Sequence, residues 1–384
     1  MSINATSSLA LYAENGSDKL DLAVEYAGIM ENVAANTISG QWKNTVLSGD
    51  PKGGLVIAHR FVNAKTEKYG KARQDGHAAK LRGKTVPVPI DIDRELYEEV
   101  EEKDVLLSGV EGLIESRLRS QEGAIKRENE RLFFEVACLG GSAITFTGST
   151  AVEKLGEIVR SIETTNNEYV DGVDREFIKV ALDTASYEAV HTYLDPMKDP
   201  SGREFFAYHG VEVKPSTYLP SGVTHVALFK DYESGLGSVA LPMVVTDVQD
   251  VTKVQNSAAY SFGGAHSKGC KAVMPDLIKY AGGAVSGITL SSAASSTTGA
   301  ADITITLPTN MNMDLVAGYK YKAASSSITL PAFGASATGY SNATVTNGVA
   351  TISTTANYYV AIVAVDADGK VLDGGVVKAT AVGA

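Results

Sequence analysis

Between Asp104 and Cys138 the apolar residues Leu106, Val110, Leu113, Ile114, Leu118, Ile125, Leu132 and Val136 return at helical spacing, with Glu111, Glu115, Arg119, Lys126 and Glu130 on the other faces. A helix over this stretch is roughly 50 Å long at about 1.5 Å per residue. Such a strut exceeds most globular helices, so the remaining elements must be arranged along it.

The second constraint is a break in composition near residue 285. The last hundred residues hold nine charged side chains, Asp302, Asp314, Lys320, Lys322, Asp366, Asp368, Lys370, Asp373 and Lys378. The first 284 hold thirty basic and forty acidic ones. Two kinds of domain are expected, 1–284 and 285–384, joined by "YAGGAVSGITLSSAASSTTGAAD", whose small polar residues suit an exposed linker or domain edge.

Downstream of the join the pattern is β. "DITITLP" alternates Ile303, Ile305 and Leu307 with threonines, and "ATVTNGVATIS" carries a hairpin turn at Asn347-Gly348. "NYYVAIVAVDADGKVLDGGVVKATA" reads as two strands around Asp368-Gly369. About seven short strands fit, which suggests a small immunoglobulin-like sandwich, although its cysteine pair is absent.

Upstream, "GGLVIAHRFVNA" and "GKTVPVPIDID" read as two strands of a long hairpin with a polar tip near Ala72 to Ala79, and Pro87 and Pro89 mark the second as an edge. Between them lies a basic block: seven basic and two acidic side chains from Lys65 to Lys84. From Asp91 to Asp104 the sign reverses, with eight acidic and two basic. Beyond the long helix, a second helix is expected over Ala151 to Thr164, then a strand and a helix opening after Asp183. Short strands broken by Pro215 and Pro220 follow, and a last strand leads to a turn at Pro275.

The order of these parts resembles the major capsid proteins of tailed bacteriophages, the Hong Kong 97-type fold. The resemblance rests on the charged hairpin, "VPIDIDRELYEEVEEKDV", the long helix, "KVALDTASYEAV", "GVEVKPSTYLPSGVTHVALFKD" and "GCKAVMPDLIKY", and covers roughly residues 1 to 284. It implies an α+β shell domain with an N-arm over about 1–50, an extended loop over about 52–95, a spine helix over about 104–138, and peripheral and axial domains sharing about 140–284. Family members often carry an added immunoglobulin-like domain, which 285–384 would be. In the family the extended loop reaches across a neighbouring subunit. Lys68, Lys71, Arg73, Lys80 and Lys84 are therefore candidates to meet Glu98, Glu99, Glu101 and Glu102 of the next copy. The alternative is a hairpin whose two blocks neutralise each other within one chain.

The resemblance further implies hexamers and pentamers in an icosahedral shell, packaged double-stranded DNA bound without sequence specificity, and scaffolding, portal and decoration proteins as partners. The expected location is the virion, after synthesis in the bacterial host cytoplasm. Some relatives join subunits through a Lys-Asn isopeptide bond. Lys71, Lys80, Lys84 and Asn256 lie in suitable regions, but no motif fixes a pairing and no crosslink is assigned.

Composition and motifs restrict the other readings. A net charge of −11 opposes a general nucleic-acid binder, which needs clustered Lys and Arg. The N-terminus lacks the basic and apolar regions of a signal peptide, and no run reaches the roughly 20 apolar residues of a membrane span. Cys138 and Cys270 suggest reduced thiols, and the sequons at Asn4, Asn15 and Asn342 are read as chance. "RGKT" at Arg82 to Thr85 lacks the first glycine of a phosphate loop, which falls at Ala78. "GLGSVA" at Gly235 to Ala240 is stopped by Leu241-Pro242 before a helix, so a loop between strands is expected. His266 and Cys270 are too few for a metal site and read as a turn histidine and a buried thiol. The other histidines are scattered, no nucleophile has triad spacing, and "EEVEEKD" reads as a solvated face. No catalytic, cofactor-binding or metal-binding residue is assigned. Two other readings remain: an encapsulin-type compartment, and a carbohydrate-binding or adhesive surface protein suggested by the Ser/Thr-rich tail.

Overall fold

The computed structural model describes residue 13 and residues 21–60, 62, 85–101, 103–104, 109–198, 204–309 and 311–383. The chain is α+β, with few helices and many sheets, and it divides into two compact units. One comprises Met1–Phe133 and Lys230–Val273, the other Phe134–Phe229 and Met274–Ala384. The basic tip of the hairpin, with Lys68, Lys71, Arg73, Lys80 and Lys84, lies outside the described residues, as do Glu102 and Leu106.

The first unit is built on an antiparallel three-stranded sheet, Met243–Lys253, Ala259–Lys268 and Ile92–Glu101, with Ala259–Lys268 in the middle. Its inner face supplies Val100, Val251, Tyr260 and Phe262 to a core shared with Leu22, Tyr26, Ile29 and Val33 of the helix Leu22–Asn36. That helix starts where it does because the Asp21 carboxylate accepts from the free Ala23 and Val24 amides, at 3.0 and 3.4 Å. Val110, Ile114, Leu118 and Ile125 of the long helix complete the core. The predicted stripe is thus the buried face, and the helix runs from Gly109 to Gly140, 32 residues or about 48 Å. One stripe assignment needs correction: Glu130 is buried, because its carboxylate accepts from the Ser39 amide at 2.7 Å. The hairpin forms as expected from Leu55–His59 and Thr85–Pro89, and Leu47–Ser48 adds a third strand. The proline strand lies at the sheet edge, where its missing donors leave no ladder bond unmade.

The second unit carries a seven-stranded mixed sheet in the order Ser142–Ala143, Ile278–Gly282, Val223–Phe229, Ile178–Leu182, Val211–Pro215, Glu204–Tyr208, Asp195–Lys198. The helix Ala151–Glu163 buries Leu155, Ile158, Val159 and Ile162, and its start is set by a capping box between Thr150 and Glu153. Asp183 caps the next helix, Thr184–Val190, by accepting from the Ser186 amide, as its place after a strand predicts.

Residues 289–378 form two four-stranded antiparallel sheets, eight strands where seven were expected. One runs Thr289–Ala294, Ala300–Thr306, Val349–Ser353, Val345–Thr346; the other Ser341–Ala343, Gly318–Ala324, Tyr359–Val365, Val371–Lys378. Ile303, Ile305 and Ile352 of the first meet Val360, Ile362 and Ala364 of the second in one core. Asn347 and Gly348 both have positive φ, 51° and 76°, the turn that matches strand twist in a two-residue hairpin. The join, expected to be an exposed linker or domain edge, is exposed at Gly282, Gly283, Ala284, Ser286 and Gly287 but not throughout. Val285 and Ile288 are buried at 1% and 4% exposure, and Thr289–Ala294 is a strand, because the small residues allow close approach of neighbouring backbone.

Candidate functional site

Strand Ile92–Glu101 lies between the long helix and solvent and has two opposite characters. Its inward positions are Ile92, Arg94, Leu96, Glu98 and Val100, and its outward ones Asp93, Glu95, Tyr97, Glu99 and Glu101. Of "EEVEEKD", expected to be a solvated face, Glu99, Glu101, Lys103 and Asp104 are exposed, whereas Glu98 and Val100 face inward.

The inward polar groups bind the strand to the long helix. Arg94 Nε donates to Glu128 Oε1 at 2.6 Å, and Arg117 donates to Glu98, so this candidate contact residue faces its own chain. Lys268, wholly buried on the neighbouring strand, reaches Glu128 Oε1 and Asn129 Oδ1, both at 3.0 Å. Burial opposes ionisation of Glu128, yet Lys268 and Arg94 together hold its carboxyl below the usual range. Sequence reasoning missed this cluster, because nothing marks the lysine of "HSKG" as a buried one.

The outward face is different. Four of its five residues are carboxylates and none is a base, since Arg94 is engaged inward. In register beside them on the middle strand stand Ser267, Ala265, Gly263, Ser261 and Ala259. Small side chains thus form a row, a shallow strip of low relief, beside the acidic one. A Cβ on Gly263 would come within 2.8 Å of the Tyr97 ring, so glycine lets that ring lie over the strip, where its hydroxyl donates to Asp247 Oδ2 at 3.0 Å. Ser267 donates to Asp93 at 2.6 Å. Glu99 and Glu101 sit in this row, Glu101 with Lys103 as an exposed partner, and the structure adds Asp93, Glu95 and Asp247 to the candidates.

His266 is not in a turn. It lies within strand Ala259–Lys268, 2% exposed, because its ring faces the helix side of the sheet. Cys270, expected to be buried, is half-buried. Burial pushes the imidazole of His266 down to about 4, with Lys268 beside it adding to the effect; burial does the same to His225 in the other unit. Unfolded, both titrate near 6.5. Between these values the unfolded chain binds more protons, so stability falls as pH drops from 6.5 towards 4, by at most about 1.4 kcal/mol per pH unit for each ring. Urea denaturation at pH 7.0 and 4.5 should show a lower midpoint at 4.5, and replacing both histidines by glutamine should reduce the difference.

Among the described residues no helix is long and apolar enough to cross a membrane, and no group of three or more His, Cys, Asp or Glu is placed to hold a metal. Residues 294–374 match the family model of the S-layer protein SbsC C-terminal domain. No curated protein matches. Among solved structures, a Mycobacterium phage Che8 chain is 12% identical with TM-score 0.41, covering 64% of this chain and 91% of that one. The capsid of cyanophage P-SCSP1u is 10% identical with TM-score 0.42, covering 63% and 86%. An encapsulin complex of Synechococcus elongatus is 13% identical with TM-score 0.40, covering 60% and 81%. Likenesses this loose leave the functional argument to the geometry of the chain itself.

Proposed function

We propose that this chain is a shell-forming structural protein of the Hong Kong 97 type, which assembles as hexamers and pentamers into an icosahedral head around double-stranded DNA. The observation that carries the reading is the outward acidic row of strand Ile92–Glu101, which follows in sequence a block of seven bases over 65–84. Arg94 and Arg117 pair with inward carboxylates, and within the row Glu101 pairs with the exposed Lys103, so Glu95 and Glu99 are the carboxylates best placed to meet another copy. The order of hairpin, acidic strand, 32-residue helix and seven-stranded sheet is the order on which the resemblance rests. Synthesis in the bacterial cytoplasm and scaffolding, portal and decoration partners belong to the same proposal.

Residues 285–384 are proposed as an immunoglobulin-like appendage on the outer surface. Its sheet orders, with strands lettered along the chain, are A-B-E-D and C′-C-F-G, the immunoglobulin arrangement with one added strand. It is nearly neutral, four Lys against five Asp, unlike the domain proposed to make the shell contacts.

Light scattering and electron microscopy of the chain coexpressed with its assembly factors test the proposal, and closed particles are expected. A strictly monomeric protein under all conditions would overturn it. The encapsulin-type reading shares this geometry and predicts shells that hold no genome. The S-layer match over 294–374 favours a surface-array reading, which predicts flat lattices instead. Particles from a chain ending at Gly283 should form and lack an outer projection.

A further inference from the structure

We propose that the C-terminal sandwich is latched onto the last turn of the long helix and the strand Ile278–Gly282, so that it is held in one orientation by a built contact and does not swing on a tether. The latch joins segments distant in sequence but within one compact unit.

Its first part is the loop over 331–335. The Val285 amide donates to Pro331 O at 3.0 Å, and Ala284 bridges Ala332, so the entry to the sandwich is stitched to this loop. Phe333 is 2% exposed, and its carbonyl accepts the hydroxyl of Tyr280 at 3.2 Å in a buried hydrogen bond. The same loop extends the sandwich edge: the Gly334 amide donates to Val371 O at 2.7 Å, and the Val371 amide to Ala335 O at 2.8 Å. The loop therefore bonds Tyr280 on one side and the sandwich on the other. Gly334 has φ 72°, and a Cβ there would fall 2.4 Å from the Tyr280 hydroxyl, so only glycine allows this approach.

The second part is Lys370, one of only four lysines in the last hundred residues. Its ammonium donates to the Leu139 carbonyl, in the final turn of a helix that ends at Gly140. Carbonyls of a last turn have no partner within the helix and carry the negative end of its dipole, so a cation there is favourable. A tether would need neither the cation nor the buried phenol. On the other side of the join, Val285 lies against Gly374 and the Gly287 amide donates to Asp373 at 2.8 Å, so the connecting segment is pinned at these points, with Val285 and Ile288 buried.

The latch is independent of shell formation and is tested on the full chain in solution. Hydrogen exchange and thermolysin cleavage are followed across residues 283–290 in the wild type, Gly334→Val and Lys370→Met. In the wild type this segment should be protected. Lys370→Met should speed exchange and cleavage about tenfold, the order expected for losing one charge-assisted hydrogen bond, and Gly334→Val should do more, while strand-rich circular dichroism is kept. If Gly334→Val fails to fold, Lys370→Met alone decides. Rapid exchange in the wild type, or equal rates in wild type and Lys370→Met, overturns the latch. Loss of particles in either variant would bear on the shell reading and not on this one.

Discussion

Changing Glu95, Glu99 and Glu101 together to lysine is expected to leave the chain folded and to prevent assembly at low salt. All three are exposed on the outward row, and the inward pairs Arg94–Glu128 and Arg117–Glu98 are untouched, so the fold has little reason to respond. A single exposed ion pair is worth about 0 to 1 kcal/mol. With the proposed pairing between copies, three reversals turn attraction into repulsion at each such contact, which a shell would repeat many times. Changing Lys68, Lys71, Lys80 and Lys84 to glutamate should do the same from the other side, and mixing the two variants should restore assembly. Both defects should weaken as added salt shortens the Debye length, about 8 Å at physiological ionic strength. Circular dichroism checks the fold, and sedimentation counts the particles. Unchanged assembly of both single variants at low salt would mean that the blocks pair within one chain.

The second large effect concerns the interior. Glu128→Gln should cost about 3 kcal/mol in urea denaturation, the lower end for removing one partner of a buried pair. Lys268 is wholly buried and would keep its charge after losing the carboxylate that faces it, with the neutral Asn129 and the new amide nearby. The Glu128 side chain is 32% exposed, which lets water reach the site and keeps the cost from being larger. Lys268→Met should be milder, about 1 kcal/mol, because Glu128 retains Arg94 and solvent. The double variant should lose less than the sum of the two, since each substitution removes the other's unpaired charge. A Lys268→Met more damaging than Glu128→Gln would refute this account of the cluster.

Much of the fold was legible because its determinants are local. The apolar stripe from Val110 to Leu132 returns at intervals of three, four or seven residues, all on one helix face, and any helix there must bury it. Asp183 and the Thr150–Glu153 box cap helices through amides two or three residues away, and Asn347-Gly348 alone specifies its turn. Strand Ile92–Glu101 was harder to read. Its apolar positions Ile92, Leu96 and Val100 alternate with charges on both faces, so Arg94 and Glu98 looked as solvated as Glu95 and Glu99.

The sequence by itself therefore determined the long helix, the capped helices and the tight turns, the division in character near residue 285 and the adjacency of a basic and an acidic block. Only the tertiary structure decided which carboxylates of that block face solvent, that Lys268 is wholly buried, and that Val285 and Ile288 are buried just after Gly283. The physical reason is distance along the chain. Lys268 meets Asn129 across 139 positions and Lys370 meets Leu139 across 231. Whether a charge is solvated or desolvated is settled by such remote neighbours, whereas periodicity, caps and turns are settled within a few residues.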